Sequence, residues 1–183
     1  MALSNNLTRI IVSVIAIPFI IAASYFGNIL FLVFVLALSL IAFYEFARMV
    51  SAKGMHPNII IGIIGVAFFV INQYAPFLDL YSFLLLFIAV LSLVELFRNK
   101  ESAVFNMSST LLGVFYIGLF SSSLIGIREF YPDIGGLYLR GGFIIISILA
   151  AIWICDSAAF YGGTKFGKNK LFPRVSPNKS WQG

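Results

Sequence analysis

The chain has 183 residues, of which 61% are hydrophobic and 10% charged, with 12 Lys+Arg against 7 Asp+Glu. Soluble domains carry about 45–50% apolar and about 25% charged residues, so a water-soluble globule is excluded. Disorder is excluded as well, because its signature is low hydrophobicity with high charge.

Uninterrupted apolar stretches predict about six helical spans, near residues 10–26, 29–49, 59–75, 80–97, 109–127 and 142–162. A backbone exposed to lipid must satisfy its own hydrogen bonds, so each span is expected to be helical. The fold class is therefore all-α: a polytopic transmembrane bundle over 1–162, followed by a basic segment over 163–183. The first stretch, with Arg9 ahead of it and Ala22-Ala23-Ser24 at its end, also has some signal-peptide character. Only Gly27-Asn28 separates it from the next stretch, which favours a tight helical hairpin and a retained span.

Basic residues set the orientation. With the N-terminus cytoplasmic, that side receives Arg9, Arg48, Lys53, Arg98, Lys100, Lys165, Lys168, Lys170, Arg174 and Lys179, against Arg128 and Arg140 opposite. An even number of spans returns the tail to the cytoplasm, and a multi-pass protein of the cell (inner) membrane is expected. The net charge of +5 is accounted for by this asymmetry, and no nucleic-acid partner is expected.

A pattern occurs twice at the cytoplasmic boundary: Glu45-Phe-Ala-Arg48 ends the second stretch and Glu95-Leu-Phe-Arg98 ends the fourth. The spacing puts carboxylate and guanidinium on one helical face. An interfacial ion pair with a snorkelling Arg is the plainer expectation, and a polar cavity lined by Glu45 and Glu95 the sharper one. His56 is expected to be a solvated loop residue, Asn72-Gln73 to mark the far interface, and Ser121-Ser122-Ser123 to bond helix carbonyls. Gly135-Gly136 and Gly141-Gly142, flanking Arg140, read as a flexible outer loop, and Cys155, alone, forms no internal disulfide.

Asp156 lies about six residues from the cytoplasmic end of the last span, roughly 9 Å deep. A carboxylate there has to face protein, water or metal, which marks it for function. Residues 163–183 then bring five cations and no acid. Gly162, Gly163 and Gly167 allow close backbone approach to a ligand, Pro173 and Pro177 stiffen the path, and Ser176 and Ser180 set hydroxyls beside lysines. Together these suit phosphate binding, with a spacing unlike a P-loop.

The stretch DSAAFYGGTKFGKNKLFPRVSPNKSWQG, from Asp156 to Gly183, resembles the signature of the phosphatidate cytidylyltransferase family. The matching residues are Asp156, Ala159, Gly163, Phe166, Gly167, Lys168, Ser176, Pro177, Lys179, Trp181 and Gly183, with Ser180 in a threonine place. The resemblance implies transfer of CMP from CTP to phosphatidate, giving CDP-diacylglycerol and pyrophosphate with Mg²⁺. It implies catalytic roles for Asp156, Lys168 and Lys179, with Asp156 also a metal ligand. Gly163, Gly167, Lys170, Ser176, Pro177 and Ser180 would bind substrate. Expected partners are CTP, phosphatidate and the bilayer, and a second copy of the chain is compatible with the reading. Phe160, Thr164 and Gln182 depart from the family's usual Tyr, basic residue and Glu. Family members continue to a further acidic region, so this chain is expected to be an incomplete form with little activity alone. Alternatives are a CTP-dependent polyprenol kinase, a CDP-archaeol-type synthase, or a non-catalytic membrane protein or transporter. A transporter calls for paired midplane polar residues or matched broken helices, neither of which is clear.

Overall fold

In the computed structural model, which describes residues 5–174 and 176–183, seven α-helices and a π-helical stretch run antiparallel and end in a short hairpin. Helix α1 covers Asn5–Phe26, α2 Asn28–Ser51, α3 Ile59–Tyr74 and α4 Leu80–Phe97. Helix α5 (Ala103–Gly113), the π-helical stretch Val114–Leu119 and α6 (Phe120–Arg128) form one continuous rod, and α7 covers Tyr138–Phe166. Four units are long and apolar enough to cross a membrane: Asn28–Ser51, Leu80–Phe97, Ala103–Arg128 and Tyr138–Phe166. Apolar α3 is shorter, at 16 residues.

Local chemistry explains where the helices start and turn. The Asn58 side chain accepts the Ile61 amide at 3.1 Å and Asp79 accepts the Ser82 amide at 2.9 Å, so both act as N-caps. Between α1 and α2 the chain reverses through Gly27 and Asn28, at φ 65° and 54°. Glycine is required at the first of these on two counts: the left-handed backbone, and the Arg128 guanidinium occupying the space a Cβ would fill.

Small residues let the helices approach closely, as expected where lipid removes the hydrophobic drive between them. Gly62 lies under the Phe43 ring, Gly65 against Phe87 and Val114, and Gly118 against Val66. Around these contacts one core gathers Phe43, Val66, Phe69, Phe87, Leu91 and Val114. Within it Phe68 and Phe83 stack, with centroids 3.5 Å apart and planes inclined by 4°. A second core joins Ala23, Phe31, Val35, Val70, Ile125 and Ile145 from α1, α2, α3, α6 and α7. The Ala22-Ala23-Ser24 run thus has a packing use: Ala23 and Ser24 are fully buried, and Gly142 of α7 lies against the Ser24 carbonyl.

The helical architecture agrees with the sequence, and the tail adds a two-stranded antiparallel hairpin, β1 (Lys170–Phe172) and β2 (Ser176–Ser180). One further expectation holds: Ser122 and Ser123 donate to the helix carbonyls of Leu119 and Phe120. Asn72 accepts the amides of Phe77 and Leu78, closing the α3–α4 turn. His56 keeps its side chain 37% exposed while its backbone is tied to Asn106 and Arg98. Gly141 and Gly142, expected in a loop, are instead buried in the first turns of α7, where the Arg128 and Ser24 carbonyls press against them.

Candidate active site

The signature residues fold onto one another at the C-terminal end of α7. Lys170 pairs with Ser180 and Phe172 with Ser176, with an irregularity between them. The Trp181 amide donates to the Asn169 carbonyl at 3.0 Å, and the Lys168 amide donates to Gln182 Oε1 at 3.2 Å. These bonds close the hairpin at its base and bring Lys168 and Lys179 to the same small unit.

Glycines make the seat for this hairpin. Ser180 Oγ is buried and has no hydrogen-bond partner among the described residues. It lies 3.2 Å from where a Gly163 Cβ would stand and 2.6 Å from a Gly167 Cβ. Gly183 in turn sits against the Ala159 carbonyl and Gly163. Asp156, Ala159 and Gly163 follow one another at helical spacing, so Asp156 shares the stripe on which the hairpin rests. The stretch from Asp156 to Gly163 spans about 10 Å along the axis.

Charge at this end is one-sided. Lys165, Lys168, Lys170, Arg174 and Lys179 are all exposed. Among the described residues the Lys or Arg found in an ion pair is Arg98, with Glu95, outside this cluster. Gln182, in the place of the family's Glu, receives the Lys168 amide and so closes the hairpin with a neutral side chain. Asp156 is exposed, and it is the one carboxylate on α7. Among the described residues no three His, Cys, Asp or Glu side chains converge into a metal site. A lone carboxylate does not make a Mg²⁺ site, which needs a near-octahedral set of oxygen ligands. The residues present therefore do not fit that ion by themselves.

The two Glu-x-x-Arg patterns prove unlike. Glu95 is 4% exposed. Its Oε2 receives Arg98 Nη1 at 3.2 Å and its Oε1 receives Asn106 Nδ2 at 2.6 Å. Arg98 Nη1 also donates to the His56 carbonyl at 2.7 Å, and the His56 amide donates to Asn106 Oδ1 at 2.7 Å. Glu95 is thus the centre of a latch that ties the α2–α3 loop to the α4–α5 loop. Glu45 and Arg48 instead stand exposed and, with Met49, line an open groove of about 370 Å³. Glu45 lines an open surface groove and not an enclosed cavity, and of the two expected ion pairs the one formed is Arg98–Glu95. Asn106 gave no sequence signal of its role beyond being an amide among apolar residues.

At the opposite end Arg128 is fully buried. It donates to the carbonyls of Ser24, Tyr25 and Tyr138 at 2.6, 2.8 and 3.2 Å. The first two carbonyls lie in the last turn of α1, where a cation meets the negative end of the helix dipole.

An antiparallel bundle of apolar helices carrying a basic, glycine-seated hairpin at one end defines a membrane-type protein with a candidate phosphate-binding surface. The chain belongs to the cytidylyltransferase family, whose model matches residues 7–183. It is 28% identical to the phosphatidate cytidylyltransferase of Staphylococcus aureus (strain COL), over 98% of this chain and 65% of that protein. The protein of the same name from Brucella suis biovar 1 is 26% identical over 99% of this chain and 63% of its own length. The Haemophilus influenzae phosphatidate cytidylyltransferase is 46% identical over 44 residues, 24% of this chain and 15% of that protein. The chain thus spans under two thirds of the length of these relatives. No solved structure matches.

Proposed function

We propose that the chain serves the transfer of CMP from CTP to phosphatidate. A phosphate oxygen of the lipid attacks the α-phosphorus of CTP, forming a new P–O bond. The bond from the α-phosphorus to the oxygen bridging to the β-phosphorus breaks in line, and pyrophosphate leaves with that oxygen. No protein nucleophile is needed, because positioning and charge neutralisation lower the barrier. Lys168 and Lys179 neutralise the phosphates on this reading, while Lys170, Ser176 and the backbone around Gly163 and Gly167 cradle them. Pro177 fixes the path of β2, Ser180 seats the hairpin on α7, and Asp156 orders the far edge of the site. The family implies Mg²⁺, and the described residues do not by themselves assemble a site for it.

The observation that carries this reading is the closure of the signature residues into one hairpin on α7, in a chain whose family match runs from residue 7 to residue 183. Relatives named for phosphatidate favour that lipid over a polyprenol acceptor. The same reading takes the six apolar helical units as six spans, with the hairpin end cytoplasmic because ten of the 12 Lys and Arg lie there. Lipid and cytosolic CTP both reach that surface, as a multi-pass protein of the cell membrane would require.

A chimera tests it. The matched region of the Staphylococcus aureus relative is replaced by residues 7–183 of this chain, and label from CTP is followed into chloroform-soluble CDP-diacylglycerol. Turnover that depends on phosphatidate and falls at least about 100-fold in Lys168→Ala or Lys179→Ala supports the reading. A folded, membrane-inserted chimera with no turnover overturns it.

A further inference from the structure

We propose that the groove at the end of α2 is a headgroup site for a phosphomonoester lipid, with Arg48 holding the phosphate; this deepens the reading above by naming where the lipid substrate is taken up. The first observation is the contrast between the two Glu-x-x-Arg patterns. Arg98 is consumed by Glu95 and by the carbonyls of His56 and Pro57. Arg48, with the same neighbour at the same spacing, has no ion-pair partner among the described residues and opens onto the groove it shares with Glu45 and Met49. A guanidinium left unengaged beside a concavity of about 370 Å³ offers a planar fork that matches phosphate geometry.

The second observation is what leads to it. Leu38, Ile41 and Tyr44 are 51%, 58% and 47% exposed. With Glu45 and Arg48 they follow one stripe of α2 at helical spacing. From Leu38 to Arg48 the stripe rises about 15 Å, close to the hydrocarbon depth of one leaflet. An acyl chain lying along this track places its headgroup at Arg48.

Glu45 supplies the selectivity. A phosphomonoester monoanion carries free oxygens for Arg48 and a P–O–H that Glu45 can accept, and the adjacent carboxylate favours that protonated form. The phosphate of a diester headgroup has no P–O–H, so at Glu45 it meets only like charge.

The test is equilibrium dialysis of the 183-residue chain in neutral detergent, without CTP, against radiolabelled dihexanoyl phosphatidate or dihexanoyl phosphatidylglycerol. The wild-type chain should retain phosphatidate over phosphatidylglycerol. Arg48→Ala should weaken phosphatidate binding at least about tenfold, with Arg48→Lys recovering part of it. Glu45→Gln should bring the two lipids together, and Lys53→Ala in the adjoining loop should change neither. Unchanged binding in Arg48→Ala, an equal loss in Lys53→Ala, or no discrimination by the wild-type chain would each overturn the site while leaving the CTP reaction standing. A wild-type chain that binds no phosphatidate at all counts against both. Because Arg48 is exposed, the variants should keep the wild-type helical signal and elution, and Arg48→Lys provides a second, milder substitution.

Discussion

The guanidinium carbon of Arg128 lies 4.2 Å from the centroid of the Tyr138 ring, so the cation ending α6 is covered by the first aromatic of α7. The same tyrosine donates its hydroxyl to Glu129 at 2.8 Å and accepts the Asn28 amide at 2.7 Å, while Tyr74 donates to the Asn28 side chain. Four helices thus meet at one polar knot, and Arg128 closes it by capping α1. Removing Arg128 strands the helix-end carbonyls of Ser24 and Tyr25 and uncovers the Tyr138 ring. Arg128→Ala is expected to destabilise the detergent-solubilised protein by about 3 kcal/mol or more. Arg128→Lys should recover only part, since one ammonium cannot span three carbonyls and the ring. Thermal unfolding followed by far-UV circular dichroism measures both.

The hairpin seat gives a second expectation. A methyl group on Gly167 would collide with the Gly163 carbonyl and come within 2.6 Å of Ser180 Oγ. Overpacking of this kind costs about 1–3 kcal/mol. Gly167→Ala should therefore loosen the hairpin while leaving the bundle intact. Faster hydrogen exchange at the Trp181 amide, with an unchanged melting temperature, is the expected result. A fall in melting temperature equal to that of a core variant would show that the hairpin is not a separate unit.

How far the sequence was legible follows from which interactions are local. The helical units and the Gly27-Asn28 reversal were readable because apolar length and turn chemistry act over neighbouring residues. The glycine run after Asp156 signalled close approach, yet it read as approach to a ligand. What fills the space beside Gly163 and Gly167 is Ser180, from a strand many residues away. Arg128 looked like a charge in an outer loop, since nothing near it in sequence reveals carbonyls contributed by Ser24 and Tyr25. Asn106 was likewise silent: its partners are Glu95, the Lys100 carbonyl and the His56 amide, on three separate segments. Long-range polar satisfaction, which sets these positions, leaves no periodicity to read.

The cap of α4 carries a pH dependence. The Ser82 amide and hydroxyl, bonded to the Asp79 carboxylate, hold its pKa below the ordinary 3.8. A group depressed on folding stabilises the folded form above its unfolded value and loses that contribution as pH falls through the lower, folded value. The first turn of α4 should therefore lose exchange protection as the solution is taken below pH 3.8, and keep it above. Asp79→Asn should retain the cap and flatten this dependence, whereas Asp79→Ala should lose protection across the range. Hydrogen exchange of the Ser82 amide reports both.

Glu45 and Glu95 stand near the C-terminal ends of α2 and α4, each three residues ahead of an arginine. The Glu95 side chain is 1% exposed and satisfies both Arg98 and Asn106. Its loss leaves a half-buried guanidinium and an amide donor without their acceptor, and releases the hold on the His56 loop. Glu95→Ala is expected to cost about 3–5 kcal/mol, the range for breaking a buried pair from one side. Glu45→Ala removes an exposed group with no partner among the described residues and should change stability by under about 0.5 kcal/mol. Guanidinium-free thermal melts in one detergent compare them directly. Equal losses would mean that Glu45 is also a structural member of the bundle, and would leave Arg48 without the freedom that a headgroup site requires.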